Sequence, residues 1–325
     1  MVHTSTSGRR LAAAGLIAFA AFVGAARCPA GSGETVQGRH VGTFHSLSVS
    51  RGVYTEAKLD SWPEVNVFAY ANVADNILTE VLDGELSVTA REGTCVAETT
   101  VQMSTLLPLT SVTATGDGSL VVEAVRRDVR AIGGSRILVG SLNGSVDAIL
   151  RASGHGSSVR VGQLTLDGAL RLLVEGEADV SVVEGHASAV HILANGSASV
   201  DLSGLVAERV QVVADGASIV LPSAAVVTGS CSGSGQLVVK GRPEVSVTKT
   251  GSCRVVRGGR RLAIAKRANA TTAETPAVTE VVTAMETTAV EAMTAPSAAQ
   301  PRGGVALALA ATAACWLACF GRGAP

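Results

Sequence analysis

The sequence predicts an all-β protein, built as a right-handed, single-stranded parallel β-helix (β-solenoid) with coils of about 20 residues. Three observations support this prediction: a core composition that is aliphatic, a sequence repeat, and a two-residue alternation within each copy. Of the 325 residues 47% are hydrophobic but only 3% are aromatic, and residues 71–302 contain no Phe, Trp or Tyr. A core of Val, Leu, Ile and Ala suits side-chain layers that repeat along an axis.

The repeat is clearest in residues 170–180, 190–200 and 210–220, which align at a spacing of twenty with glycine at Gly176, Gly196 and Gly216. Even-numbered positions are aliphatic or small and odd-numbered positions are mostly polar, which is the pattern of a strand with one buried face. The alignment places positions 178, 198 and 218, and then 180, 200 and 220, in the core. The recurring glycine indicates a bend where neighbouring backbones approach closely. A β-sandwich of short strands is the alternative.

The N-terminal residues 1–26 are predicted to be a signal peptide. Arg9 and Arg10 precede the apolar run Leu11–Ala26, which ends in small residues. The alternative is a buried N-terminal helix. The solenoid head is assigned to residues 31–257.

The C-terminal region is predicted to tether this head. Residues 258–302 comprise a basic cap and a disordered stalk rich in Thr, Ala and Pro, or a plain linker. Residues 303–325 form a hydrophobic tail that contains the apolar run Gly304–Phe320. A small-residue site, a polar spacer and a greasy tail make up a glycosylphosphatidylinositol (GPI) anchor signal, with attachment at Ser297 or nearer Ala292. A single membrane span is the alternative, because the apolar run is close to the minimum spanning length.

The N-terminal half of the head carries a second pattern. Residues 44–53 read Phe-His-Ser-Leu-Ser-Val-Ser-Arg-Gly-Val, the segment 71–77 contains Asn72, Asp75 and Ile77, and Asp83-Gly84 introduces another strand. In this order of elements, residues 33–256 resemble the auto-transporter adhesin head GIN domain family. The resemblance implies a single-stranded right-handed β-helix at an exposed location. The chain departs from the pattern at 56–60, which replaces the usual strand continuation after Val53, and its stalk and tail are additional.

Cysteines supply the most specific site prediction. Cys231 and Cys253 are separated in the sequence by close to the length of one coil. Strands stacked ~4.8 Å apart allow the Cα separation that a disulfide needs. An oxidising compartment therefore favours a Cys231–Cys253 bridge, with two buried thiols as the alternative. Cys95 is then expected to pair with Cys28, if signal cleavage leaves Cys28 in the mature chain.

Surface modification is predicted at three N-glycosylation triplets, Asn143-Gly-Ser, Asn195-Gly-Ser and Asn269-Ala-Thr. The alternation places Asn195 on the outward side of its strand.

No catalytic or metal-binding site is predicted, and no cofactor. His155, His186 and His191 read as surface residues. Glu175, Asp179 and Asp215 could form an acidic strip, as in polysaccharide-active β-helix enzymes, but Asn195 interrupts it and the coils offer no aromatic residue to stack a sugar. The basic segment 254–267 reads as a polar cap of the solenoid, with a processing site or a heparin-type patch as alternatives.

These observations predict a membrane-tethered protein on the extracellular side of the plasma membrane. It is expected to be a non-enzymatic adhesive or binding module for an extracellular protein or glycan. A net charge of −1 does not suggest a nucleic-acid partner. A purely structural surface-coat protein is the first alternative, and a polysaccharide-active β-helix enzyme the second.

Overall fold

The computed structural model describes residues 33–96, 98–257 and 260–261. Of these, 69% lie in strands and 2% in a single short helix, α1, at Ala71–Ala74. The strands are β1 (Glu34–Arg39), β2 (Ser46–Val49), β3 (Tyr54–Leu59), β4 (Glu64–Tyr70), β5 (Ile77–Leu82), β6 (Glu85–Ala90), β7 (Thr100–Thr105), β8 (Leu109–Thr115), β9 (Ser119–Ile132), β10 (Arg136–Gly144), β11 (Ala148–Ser153), β12 (Ser158–Gly176), β13 (Asp179–Gly196), β14 (Ser199–Asp201), β15 (Leu205–Asp215), β16 (Ser218–Val220), β17 (Ser223–Ser232), β18 (Gln236–Val239), β19 (Glu244–Lys249), β20 (Arg254–Arg257) and β21 (Arg260–Arg261).

The predicted β-solenoid is confirmed, with about seven turns whose coils lie about 20 residues apart. Each regular coil contributes three parallel segments, which we call ribbons A, B and C. In the coil formed by β12 these are residues 158–161, 163–166 and 169–176, and each segment pairs with the matching segment of β13. Stacking of like segments aligns like residues, so the aliphatic side chains form continuous ladders in the interior.

The coils are not equal in length. The residues that stack on ribbon A, one from each coil, are Ser119, Arg136, Ser158, Asp179, Ser199, Ser218, Gln236 and Arg254. The turn from Ser119 to Arg136 is the shortest, and the next one, to Ser158, is the longest. From there each turn is a single residue shorter than the one before it, until the last two, which are equal. The twenty-residue repeat of the sequence is therefore the middle of a graded series.

The alternation predicted for the first two copies of the repeat is confirmed. Val180 and Val200 are buried, and Leu170, Val190 and Val210 stack directly on one another in ribbon C. These ladders remove the aliphatic side chains from water along the whole stack, which supplies the main stabilising term.

The register predicted for the third copy of the repeat is wrong after Gly216. Ser199 pairs with Ser218 and Val200 with Ile219, so Ala217 and Ile219 are buried in place of positions 218 and 220. The cause is a tighter corner. In the first two copies one exposed residue separates the glycine from the next buried alanine, whereas Ala217 follows Gly216 immediately.

The recurring glycine marks the corner between ribbons C and A, as predicted. Gly176, Gly196 and Gly216 all have φ between 77° and 80°. A Cβ atom on Gly216 would lie 2.8 Å from the carbonyl oxygen of Gly196. Both the left-handed conformation and the close stacking therefore require glycine at this corner.

The N-terminal end does not follow chain order. On ribbon C, β2 lies between β6 and β8, and on ribbon A, β3 lies between β7 and β9. The rung formed by β2 and β3 is therefore enclosed by two rungs that come later in the chain. The expectation that residues 56–60 replace a strand is wrong, because β3 runs to Leu59 and buries Thr55 and Ala57.

Antiparallel strands cover this end of the stack. β4 pairs with β7 and β1 with β4, while β5 forms a hairpin with β6. At the other end, β19 and β20 are the last parallel strands, and the two-residue β21 folds back antiparallel on β20. Among residues 33–96, 98–257 and 260–261, no helix has the length and hydropathy of a membrane span. The predicted signal peptide, stalk and tail lie outside the described residues.

Candidate binding surface

Four large apolar side chains are exposed together near the N-terminal end of the solenoid. Leu59 is 37% exposed, Trp62 79%, Leu106 60% and Leu107 64%. We call this group the apolar tip. Apolar residues scattered singly over a surface are ordinary, but a contiguous group that includes tryptophan is typical of interaction sites.

Backbone pairing holds the two halves of the apolar tip side by side. Leu59 at the end of β3 pairs with Thr105 at the end of β7, and the Asp60 N–H donates to the Thr105 carbonyl oxygen at 3.0 Å. The Ser104 hydroxyl donates to the carbonyl oxygen of Trp62. The turns that follow the two strands are therefore neighbours, and their side chains share one surface.

The interleaved strand order explains why these residues are exposed. After β7 the chain must cross from the first rung to the third, and Leu106 and Leu107 lie on this crossing, next to the end of β3. After β3 the chain reverses into the antiparallel β4 through Asp60-Ser61-Trp62-Pro63, a sequence rich in turn-forming residues. Neither turn is covered by another coil.

Charged and polar groups border the apolar tip. The Leu59 N–H donates to the Glu123 carboxylate at 2.9 Å, and Lys58 lies 3.6 Å from the Glu56 carboxylate. Burial, a hydrogen bond donated to Glu56 and the charge of that carboxylate raise the pKa of Tyr54 to about 12. An apolar centre with a polar border is the usual anatomy of a protein interface.

The predicted Cys231–Cys253 disulfide is present, with a Cα–Cα distance of 6.0 Å. Both cysteines are fully buried. Cys231 lies on ribbon C directly above Ala214, and Cys253 lies just before β20 on ribbon A, so the bridge links two successive coils across the glycine corner. Cys95 is also disulfide-bonded, but Cys28 lies outside the described residues, and their pairing stays a prediction.

The glycosylation triplets can be placed in part. Asn143 and Asn195 are both exposed, and Asn195 lies on the outward side of ribbon C as predicted. Asn269 and the predicted anchor site Ser297 lie outside the described residues.

The acidic strip predicted as a possible enzyme feature does not form as one line. Glu175, Asn195 and Asp215 stack on ribbon C, so the two carboxylates are separated by a neutral residue. Asp179 lies on ribbon A, where it stacks against Ser199. The interruptions noted in the sequence, at Asn195 and also at Ser199, are therefore present in the structure.

The histidines of the coils are surface groups with local partners. His155 contacts the Glu177 carboxylate, and His191 lies 3.0 Å from the side-chain oxygen of Gln211 on the next coil. His186 is exposed. Within the part of the chain that the structure describes, no three His, Cys, Asp or Glu side chains are grouped as a metal site would require.

Sequence reasoning missed the apolar tip. No pattern in the sequence assigns a role to its four residues. The one available signal was the turn sequence around Trp62, since a tight turn that ends in proline lies at the surface and keeps its tryptophan there.

An all-β chain whose coils stack into a solenoid, closed by antiparallel strands and bearing an exposed apolar tip, defines a β-solenoid head domain. The particular family follows from comparison of sequences. The chain belongs to the family described as "Putative auto-transporter adhesin, head GIN domain", which matches residues 43–243. The predicted family resemblance is thereby confirmed. No curated protein matches the chain.

Solved bacterial structures share the fold. A structure described as a putative adhesin from Parabacteroides distasonis is 16% identical, with a TM-score of 0.56 over 70% of this chain and 97% of that one. A putative adhesin from Parabacteroides merdae is 14% identical, with a TM-score of 0.54 over 70% and 97%. A putative lipid binding protein from Parabacteroides distasonis is 17% identical, with a TM-score of 0.55 over 69% and 96%. At these identities the likeness concerns the fold alone.

Proposed function

We propose that this protein is an extracellular, membrane-tethered binding module of the adhesive type, and that the apolar tip is its contact surface. The observation that supports this proposal is the exposure of Trp62 beside Leu59, Leu106 and Leu107. Tryptophan is among the residues most enriched as energetic anchors of protein interfaces, and its ring also stacks on sugars. The partner is accordingly an extracellular protein or a glycan.

The position of the apolar tip suits such a role. On ribbon A, ten parallel strands run from β7 to β20, and β3, which bears Leu59, is the second of them. Nine steps of ~4.8 Å separate the first strand from the last by about 43 Å. A chain tethered through its C-terminal residues therefore presents the apolar tip at its far end.

The tether belongs to the proposal. In this proposal residues 1–26 direct secretion, 258–302 comprise the basic cap and a stalk, and 303–325 either signal a GPI anchor at Ser297 or span the membrane once. Glycans at Asn143, Asn195 and Asn269 complete the surface protein. Enzymatic removal of N-glycans should lower the mass of the protein at each occupied triplet, and an unchanged mass would contradict glycosylation.

Binding is tested with a glycan and protein array. The probe is residues 27–269, presented at high valency. It retains Cys28 and the whole described core. We expect selective binding that the double substitution Trp62→Ala and Leu107→Ala weakens by about tenfold or more, the usual effect of truncating interface anchors.

The matched control is Leu138→Ala with Val206→Ala. These residues are 44% and 57% exposed on the regular coils, away from the apolar tip. The control should bind as the wild type does. Equal losses in both variants would exclude the apolar tip as the contact surface, and silence of the wild type on the array would favour a structural coat protein.

The tether is tested separately. Phosphatidylinositol-specific phospholipase C should release an anchored protein from the cell surface. Recovery of an intact peptide covering 305–320 from the mature protein would contradict the anchor and favour the single membrane span.

A further inference from the structure

Charge is divided unevenly along the solenoid. Residues 33–215 contain 12 Lys and Arg against 22 Asp and Glu, whereas residues 216–261 contain seven Lys and Arg against one acid, Glu244. The near-neutral total of the chain therefore conceals an acidic body and a basic C-terminal end. Opposite net charges on the body and on one end of the solenoid orient it in an external electric field.

Five of these basic residues lie on the last coils. We call this set the basic end: Lys240, Arg242, Lys249, Arg254 and Arg257. Arg254 is exposed on ribbon A, where it pairs with Gln236 of the preceding coil, and Lys240 and Arg242 occupy the corner after β18. Lys249 ends β19 on ribbon C. The charges thus lie on several sides of one end rather than in a line along the stack.

Acidic partners do not neutralise the basic end. Within the described residues no carboxylate forms an ion pair with Lys240, Arg242, Lys249, Arg254 or Arg257. The Lys240 ammonium donates to the Ser203 carbonyl oxygen at 3.1 Å, and the Arg257 guanidinium donates to that of Pro243 at 3.0 Å. Bonds to neutral carbonyls leave the positive charge available to an anionic partner, and Lys240, Arg242 and Arg254 are exposed.

We propose that the basic end docks the head onto an anionic lipid bilayer. This inference goes beyond the proposed contact surface, and it rests on the proposed tether only for the nearness of the membrane. Two features favour a bilayer over an anionic polymer. The charges spread across the end of the rod, which matches a plane, and this end leads into the chain that carries the apolar run Gly304–Phe320.

Docking through the basic end also sets the direction of the head. An anionic surface attracts the last coils and repels the acidic body, so the solenoid stands with β20 near the lipid and the apolar tip away from it. The basic end thus adds an orientation that attachment through one end of the chain cannot supply by itself.

The test measures binding of residues 27–269, which lack the tail, to lipid vesicles by co-sedimentation. One set of vesicles is phosphatidylcholine, and the other contains one quarter phosphatidylglycerol. We expect binding to the anionic vesicles only, and its loss as salt rises from about 0.1 M to about 1 M, because the screening length falls from about 10 Å to about 3 Å. Equal binding to both vesicles, or binding to neither, would overturn the proposal.

Charge reversal locates the surface. The triple variant Lys240→Glu, Arg242→Glu and Arg254→Glu should bind the anionic vesicles about a hundredfold more weakly or worse, since each basic residue near such a surface contributes about a factor of five. The control variant Arg136→Glu, Arg160→Glu and Arg209→Glu changes the net charge equally at exposed positions of the body. The affinity of this control variant for the anionic vesicles should fall far less.

Two outcomes of this comparison would overturn the proposal. Equal loss in the two triple variants would mean that net charge alone drives binding. Retention of the wild type on heparin without binding to anionic vesicles would assign the basic end to an anionic polysaccharide. Neither outcome affects the array test of the apolar tip. Far-UV circular dichroism must show that both variants keep the strand content of the wild type.

Discussion

The central coils and the N-terminal rungs solve the same stacking problem in different ways. From Ser119 onward each coil lies on the one before it, with aliphatic ladders inside and a glycine at each corner between ribbons C and A. At the N-terminal end, β2 and β3 are enclosed by strands that come later in the chain, and antiparallel strands close the stack. The regular part provides length, whereas the irregular part produces uncovered turns. A solenoid therefore gains its distinctive surface where its repeat breaks down.

The largest expected effect is a buried charge in a central coil. Val200→Asp places a carboxylate between Val180 and Ile219, with no partner to compensate it. We expect the free energy of unfolding to fall by about 3–5 kcal/mol. Because each coil contacts only its neighbours, the loss should spread through the adjacent coils before it reaches β2 and β3.

Hydrogen exchange read by mass spectrometry measures this spread. Exchange should accelerate in β13 to β16 and much less in β2. Fluorescence of Trp62 would be a poor measure, because its side chain is already 79% exposed in the folded protein. Ser218→Asp is the control, since Ser218 is exposed and should tolerate the change within about 0.5 kcal/mol. A large loss of stability in the Ser218→Asp variant would mean that position 218 is buried, as the twenty-residue register predicts.

The second effect concerns the disulfide of the last coils. Cys253→Ser removes the link to Cys231 and should lower the free energy of unfolding by about 3 kcal/mol, as chain-entropy reasoning gives for a loop of this size. Urea unfolding compares the variant with the wild type, and non-reducing peptide mapping checks the bridge. If both cysteines were alkylated in the native secreted protein, the bridge would be absent in solution. If the Cys253→Ser variant also lost protection from hydrogen exchange in the coils before β17, the coils would unfold more cooperatively than independent neighbours do.

The third effect tests the glycine corner. Gly216→Ala adds a Cβ atom 2.8 Å from the Gly196 carbonyl oxygen at a φ of 77°, and should lower the free energy of unfolding by about 2–3 kcal/mol. Gly156→Ala is the matched control. It has a φ of 74° with no atom within 4 Å of the new Cβ, so only the cost of the left-handed backbone, about 1–2 kcal/mol, remains. Equal losses would mean that the left-handed conformation, and not the close stacking of coils, selects glycine.

The smallest effect belongs to the N-terminal rungs and appears only in alkali. The pKa of Tyr54 is raised to about 12 in the folded protein, above the ordinary value of 10.0. The folded state therefore holds the phenolic proton more tightly, and the stability from this group is complete below pH 10 and is lost as pH rises toward 12. Tyr54→Phe should be less sensitive than the wild type between these values. Urea midpoints measured across the window check this, and parallel curves would contradict it.

The sequence was sufficient to predict those contacts that join one coil to the next. The spacing of Leu170, Val190 and Val210 predicted their stacking, and the spacing of Cys231 and Cys253 predicted their bridge. These are distances of about one coil, so an alignment of the chain with itself contains the information.

The sequence was insufficient where one residue sets the register of a coil, or where pairing with a distant strand sets the position of a surface residue. The shift at Gly216 comes from one residue missing at a corner, and the twenty-residue pattern continued across it because Val220 is as aliphatic as Ile219. The apolar tip depends on β7 lying beside β3, a pairing between distant parts of the chain with no repeat to announce it. Without that pairing, nothing in the sequence places Leu106 and Leu107 beside Trp62.

The enclosed position of β2 and β3 sets an order of assembly. A rung that is flanked on both faces by residues 85–122 cannot be completed while those residues are still being synthesised or exported. The first part of the chain must therefore wait, and the whole N-terminal block forms together once Val122 is available. Each later coil needs only the coil before it and can be added as it emerges. The chain thus builds a template from its N-terminal rungs first and then grows on it by one turn at a time, toward β20.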